Sequence, residues 1–286
     1  MFFRKISIPI LIFHCFWISS INVKELFAVI PFYSAPHSEN LKKESLSIGQ
    51  SAYQLLYFGQ IKEALNLAKL AISLNANDEK LWAILADAQI ANNLNKKALI
   101  SIERGKTINP FMSELYFAES SIYIAEKDFT KAKKSIKKGL EFQPNSPTAI
   151  FQLGNIYLME LNYDKAIKSF NKATKIKKDF WQALNNIGLA YFEIEKIEES
   201  TKYFEKAIEL EDNAEPLLGL AASIVNKDKR RAIRLTKKAL KLDPQYVSNT
   251  YRKEQLWGTK IQKVTDKLLN LEELKEDIIF AKQYLK

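Results

Sequence analysis

The chain has 286 residues and is basic, with 43 lysines and arginines against 33 aspartates and glutamates and a formal net charge of +10. Eight glycines and eight prolines are too few for a β protein that turns every ten residues, and a 47% hydrophobic fraction excludes disorder over most of the length. Cys15, His14 and His37 are the only thiol and imidazoles, all near the N-terminus, which leaves the remainder without the groups for thiol or triad catalysis or a zinc site.

Arg4 and Lys5 precede an uncharged apolar run over residues 6–21, interrupted by Pro9. A positive flank followed by such a run predicts an export segment over residues 1–28, and the run is short for a full membrane span. Cleavage after Ala28 and retention as an anchor, helped by the apolar residues 26–33, are both open; either exports the rest of the chain. Residues 29–44 are read as a linker.

From residue 45 a period takes over. Leu153-Gly154 recurs as Ile187-Gly188, 34 residues later, with weaker copies at the same interval on both sides. Within one period, Ile150, Leu153, Gly154 and Tyr157 form one helical apolar stripe, and Tyr163, Ala166, Ile167, Phe170 and Ala173 another. The intervening Glu160-Leu161-Asn162 allows a tight reversal, Gly154 and Ala166 let the two helices approach, and Tyr157 and Phe170 fill the space beside them. Ser146 is placed to cap the first helix and Pro147 suits its first turn. A fixed period of this length specifies stacked helix pairs rather than one globular core.

The pattern resembles the tetratricopeptide repeat family, over six units spanning residues 45–246. Trp82, Leu85, Ala86, Ala98 and Pro110 carry it in the second unit; Tyr116, Tyr123, Ala132 and Pro144 in the third; Ile187, Gly188, Tyr191, Phe204 and Ala207 in the fifth. Unit three departs with Glu119 and Ser120 where the family prefers Leu and Gly, unit five with Ser200 for a packing Ala, and unit six is two residues short at its turn. The resemblance implies an all-α, right-handed α-solenoid. Residues 247–286 then read as C-terminal capping helices, with Trp257, Ile261, Val264 and Leu268 as one stripe and Leu271, Leu274, Ile278 and Leu285 as a further short helix.

In that family the first helix of each pair lines a concave groove. Carried over, the groove residues are Phe117 with Glu114 and Ser121 in unit three, Phe151, Gln152 and Asn155 in unit four, and Gln182, Asn185, Asn186 and Phe192 in unit five. A row of amides can pair with the backbone of an extended peptide, with phenylalanines as apolar pockets between them. Few of these places hold Lys or Arg, so a clamp for a peptide's terminal carboxylate is not expected.

The second helices carry the positive charge, in clusters at residues 131–138, 168–178 and 229–238. These predict either a solvated convex face or contact with an anionic membrane surface. The alternative is a cytosolic helical repeat that binds nucleic acid through the same face, which requires residues 1–28 not to export the chain. No phosphate loop, metal cluster or nucleophile–base pair is present, so no enzyme activity and no cofactor are expected.

Phe180-Trp181 with Asn185-Asn186-Ile187-Gly188, and Lys253-Glu254-Gln255-Leu256-Trp257-Gly258, are similar to an exported cyanobacterial tetratricopeptide group with plastid thylakoid-lumen relatives. That resemblance implies a protein of the periplasm or thylakoid lumen, a scaffold aiding assembly or upkeep of membrane complexes such as photosystems.

Overall fold

The structure, a computed structural model, describes residues 38–285. The expected export segment over residues 1–28 lies outside the described residues, as do the first nine residues of the expected linker.

Twelve helices form six antiparallel pairs: α1 (Ser38–Tyr57) with α2 (Ile61–Leu74), α3 (Glu79–Ala91) with α4 (Asn95–Ile108), and α5 (Ser113–Ala125) with α6 (Phe129–Phe142). They continue as α7 (Pro147–Met159) with α8 (Tyr163–Ile176), α9 (Trp181–Glu193) with α10 (Ile197–Leu210), and α11 (Ala214–Ile224) with α12 (Lys229–Leu242). Each pair also packs on the next, so the pairs stack into a solenoid. Within each unit the stripes decide what is buried. Ala166, Phe170 and Ala173 are closed off in α8, and Gly154 and Ile156 in α7.

The first helix corrects the linker boundary. It begins at Ser38 rather than residue 45, because Leu41 and Ser45 extend the stripe that continues through Gly49 and Ala52 at helical spacing.

The small residues sit where rings press on backbone. A Cβ at Gly154 would overlap the Phe170 ring, and one at Gly188 or Gly219 would overlap Phe204. Ser146 accepts from the Ala149 amide at 3.3 Å, with Pro147 opening α7, as its sequence predicts. Where Ser replaces the small apolar residue, its hydroxyl finds a carbonyl. Ser200 Oγ donates to the Gly188 oxygen at 2.9 Å, and Ser120 Oγ to the Ala132 oxygen at 3.0 Å. Glu119 is partnered too, accepting from Lys106 Nζ at 2.7 Å and Ser135 Oγ at 2.6 Å.

The turn inside each pair repeats with the same period. Gly59, Asn93, Lys127, Leu161 and Glu195 all adopt positive φ, between 59° and 73°. Only the first two are residue types that favour this region. The sixth turn contains no such residue, consistent with the two positions it lacks in sequence.

Beyond α12 the chain makes a 3-10 turn (Pro244–Val247), then α13 (Asn249–Glu254), α14 (Thr259–Leu269), a second 3-10 turn (Glu272–Leu274) and α15 (Lys275–Gln283). These elements have two destinations. Leu274, Ile278 and Ala281 pack at the end of the array, with α15 against α12. By contrast, α14 lies across α9 and α11, on the inner row of first helices, instead of extending the stack as a cap. Trp257 belongs to the turn before α14, not to its stripe.

Candidate functional site: the inner row of helices

With units counted from residues 45, 79, 113, 147 and 181, position nine of the first five units is occupied in turn by Tyr53, Asp87, Ser121, Asn155 and Leu189. Asn155 fixes the side on which this row lies. Its Oδ1 accepts from Asn186 Nδ2 of the next inner helix at 2.9 Å, so position nine of one unit meets position six of the following one.

The row divides into an open and a filled half. Tyr53 is 58% exposed, whereas Leu189 is only 1% exposed and shares a core with Trp257 and Leu268. What fills the second half is the chain's own segment 246–269, held by two buried carboxylates. Glu193 Oε1 accepts from the backbone N–H of Lys260 and of Ile261, each at 3.0 Å, which caps α14 in place of any local side chain. Gly258 is required at this approach, since a Cβ would overlap the Glu193 carboxyl group. Glu215 Oε1 accepts from Trp257 Nε1 at 3.1 Å, and burial pushes this carboxyl up to about 7. Arg252, fully buried, donates Nη1 to the Tyr246 oxygen at 2.6 Å and pairs through Nη2 with Asp266. Leu256, with φ of 65°, packs toward the fourth and fifth units.

Of the ten residues expected to line the groove, eight show how it divides. Phe117, Phe151, Gln152, Asn155 and Gln182 are half-buried on the inner side. Phe117 lies against Gly139, and Phe151 packs at a tilt on Phe170 and Phe180 with ring centroids 5.4 Å and 4.9 Å away, so both rings also carry core packing. Asn185, Asn186 and Phe192 are corrected: all three are buried, because the tail covers unit five. Asn185 Nδ2 donates to Asn186 Oδ1 at 3.2 Å, and Asn185 Oδ1 has no donor. These amides support the tail's seat rather than an open surface.

Sequence reasoning passed over Tyr53 and Asp87, although stepping back from Asn155 by the repeat length reaches both. Asp87 is exposed at its surface, and desolvation by the surrounding array raises its carboxyl above the ordinary carboxylate value. Glu193 and Glu215 had no signal beyond being single acids on otherwise uncharged helix faces.

On the second helices the first and third basic clusters are ion-paired in part, and among the described residues no ion pair involves the cluster at residues 168–178. Lys229, Arg231, Lys237 and Lys238 pair with Glu273, Glu205, Asp277 and Asp212 at 2.6–3.0 Å. Lys131 and Lys138 pair with Asp128 and Glu141 at 2.9 Å and 2.6 Å. Among the described residues, no group of three or more His, Cys, Asp or Glu is placed to hold a metal, and no helix is long and apolar enough to cross a membrane.

Residues 113–146, 147–180 and 181–213 each match a tetratricopeptide repeat model, so this part of the chain carries three such repeats. No curated protein sequence matches the chain. Among solved structures, a chain of the APC/C Cut9–Hcn1 hetero-tetramer is similar with a TM-score of 0.63 at 15% identity, over 77% of this chain and 44% of that one. YrrB, described as a TPR protein with an unusual peptide-binding site, has a TM-score of 0.51 at 16% identity, over 65% of this chain and 97% of its own. MamA has a TM-score of 0.50 at 23% identity, over 61% of this chain and 93% of its own. At these identities the likeness establishes the solenoid fold alone.

Proposed function

We propose that the protein is an exported, non-catalytic scaffold that holds an extended segment of a partner protein on the inner face of units one to four. The observation that carries this reading is the open half of the row, where Tyr53, Asp87, Ser121 and Asn155 lie side by side without the chain's own tail over them. The peptide-binding site ascribed to YrrB, on the same fold, supports it. Export rests on Arg4, Lys5 and the apolar run that follows. The resemblance of residues 180–188 and 253–258 to an exported cyanobacterial group supports the periplasm or thylakoid lumen as the compartment, and assembly or upkeep of photosynthetic membrane complexes as the role.

Two measurements test the proposal. A photo-crosslinking residue at Ser121 should capture a partner in cells, while one at Lys172 on the opposite helix row should not; capture only at Lys172 overturns the groove assignment. A C-terminal tag should resist protease until the enclosing membrane is opened, and digestion upon cytoplasmic access alone would remove export.

A further inference from the structure

The row of second helices turns a surface away from the groove, and one ridge recurs on it four times. In α8, Lys168 and Lys172 stand one turn apart on the side opposite the buried Ala166, Phe170 and Ala173, and Ile176 ends their row. In α10 the same places hold Lys202, Lys206 and Leu210. Residues 134, 138 and 142 of α6 repeat the order with two lysines and a phenylalanine. Residues 234, 238 and 242 of α12 repeat it with an arginine, a lysine and a leucine. All eight cations are exposed, as are Ile176, Leu210 and Leu242.

The four ridges are neighbours. The Tyr157 ring lies 5.9 Å from Lys133 Nζ of α6 and 5.7 Å from Lys165 Nζ of α8. Tyr203 of α10 donates to Asn171 Oδ1 of α8 at 3.5 Å, and Arg231 of α12 reaches Glu205 of α10 at 2.9 Å. Like charges one helical turn apart repel each other, and this repulsion is built into four successive helices. Lys138 and Lys238 offset it with Glu141 and Asp212. Among the described residues no ion pair involves the other six cations, which include all four of α8 and α10. The ridge is not a property of the whole array, since units one and two hold Asn66, Leu70, Ile100 and Arg104 at the places of its cations.

Two features identify the partner. Cations in two parallel rows match a surface of many anionic groups rather than a single anion. The third member of each ridge is apolar, and three of the four are aliphatic. The α12 ridge also adjoins a further apolar cluster: Lys238 and Lys241 share a cavity with Phe280, and Ile279, Phe280 and Tyr284 are exposed. A phosphate backbone gains little from aliphatic side chains. A bilayer interface takes up both kinds, the headgroups meeting the lysines and the acyl boundary the apolar residues.

We infer that the outer face of units three to six, centred on α8 and α10, docks on an anionic phospholipid surface. The export proposed above delivers the chain beside such a surface. Docking goes beyond the groove reading and does not depend on it, because a membrane on the second helices leaves the inner row free for a protein segment.

The test floats the full chain with vesicles of phosphatidylcholine, alone or with about 30% phosphatidylglycerol, in about 0.1 M salt. The anionic lipid should raise wild-type binding about thirtyfold. The variant Lys168→Gln/Lys172→Gln/Lys202→Gln/Lys206→Gln, with unchanged helicity, should lose that increment and keep whatever binding to neutral vesicles residues 6–21 provide. A second measurement leaves the lysines in place. In a Cys15→Ser chain, an environment-sensitive fluorophore at Ile176→Cys should shift to the blue on anionic vesicles, and one at Ser121→Cys should not. Equal binding to both vesicle types overturns the inference, as does an anionic increment that survives in the quadruple variant or a shift at 121 without one at 176. A DNA duplex of about 30 base pairs that displaces the chain from anionic vesicles would assign the face to nucleic acid and overturn it as well.

Discussion

Glu193 and Gly258 meet 65 positions apart in the chain, the carboxyl group of one filling the space where any side chain on the other would stand. The contact places the Glu193 oxygen on two otherwise uncapped amides of α14. It converts a tail into a component of the groove.

Gly258→Ala should therefore release this tail without melting the array. Overpacking at a site closed by backbone and a buried carboxylate costs about 2 kcal/mol. Amides of α14 should then exchange with solvent roughly thirtyfold faster, and those of α7 and α8 should be unaffected. Uniform loss of protection across all units would show that the tail is inseparable from the array.

Glu193→Gln should have a smaller effect than Glu193→Ala. The amide oxygen still accepts from one or both N–H groups, whereas Ala leaves two buried donors unpaired at about 1–3 kcal/mol. Chymotryptic cleavage at Trp257, followed over time, ranks the variants. Equal rates for both would mean that the carboxylate packs the site without capping α14.

The repeat array was legible because its signal is redundant. Gly154 and Gly188 face Phe170 and Phe204 in the same way, and Ser146 with Pro147 marks a helix start from local chemistry alone. The groove was legible only where one unit predicts the next. Asn155 sits on the inner row as its register requires, but Leu189, at the same place one unit on, is buried. The difference comes from Trp257 and Gly258, which reach unit five through contacts that no periodicity encodes. A stripe such as Ile261, Val264 and Leu268 specifies that a helix must bury one face, not which surface receives it.

The left-handed turn position offers a stabilising change. Leu161 has φ of 59° and is 68% exposed, so it carries the steric cost of this conformation with little packing in return. Asn, already used at the equivalent Asn93, tolerates the region. Leu161→Asn should stabilise the fourth unit by about 0.5–1 kcal/mol, read as a higher melting temperature. A lower melting temperature would mean that the leucine contributes more through its contacts than it loses in its backbone.

Glu215 should make the tail's attachment depend on pH. Burial raises its carboxyl to about 7 in the folded protein, against an ordinary value of 4.5. A raised carboxyl pKa means that the folded state holds its proton over a range where the unfolded state has lost it. Stability from this group is therefore intact below the unfolded value and falls as pH rises from about 4.5 to about 7, with no further loss above that. The full loss is on the order of 3 kcal/mol. Glu215→Gln keeps an acceptor for the Trp257 indole and removes the titration. The wild type should match or exceed this variant in α14 protection at pH 5 and fall below it at pH 8. Parallel pH profiles for the two proteins would show that Glu215 is ionised throughout and held by its three neutral neighbours, Trp257, Asn185 and Tyr246.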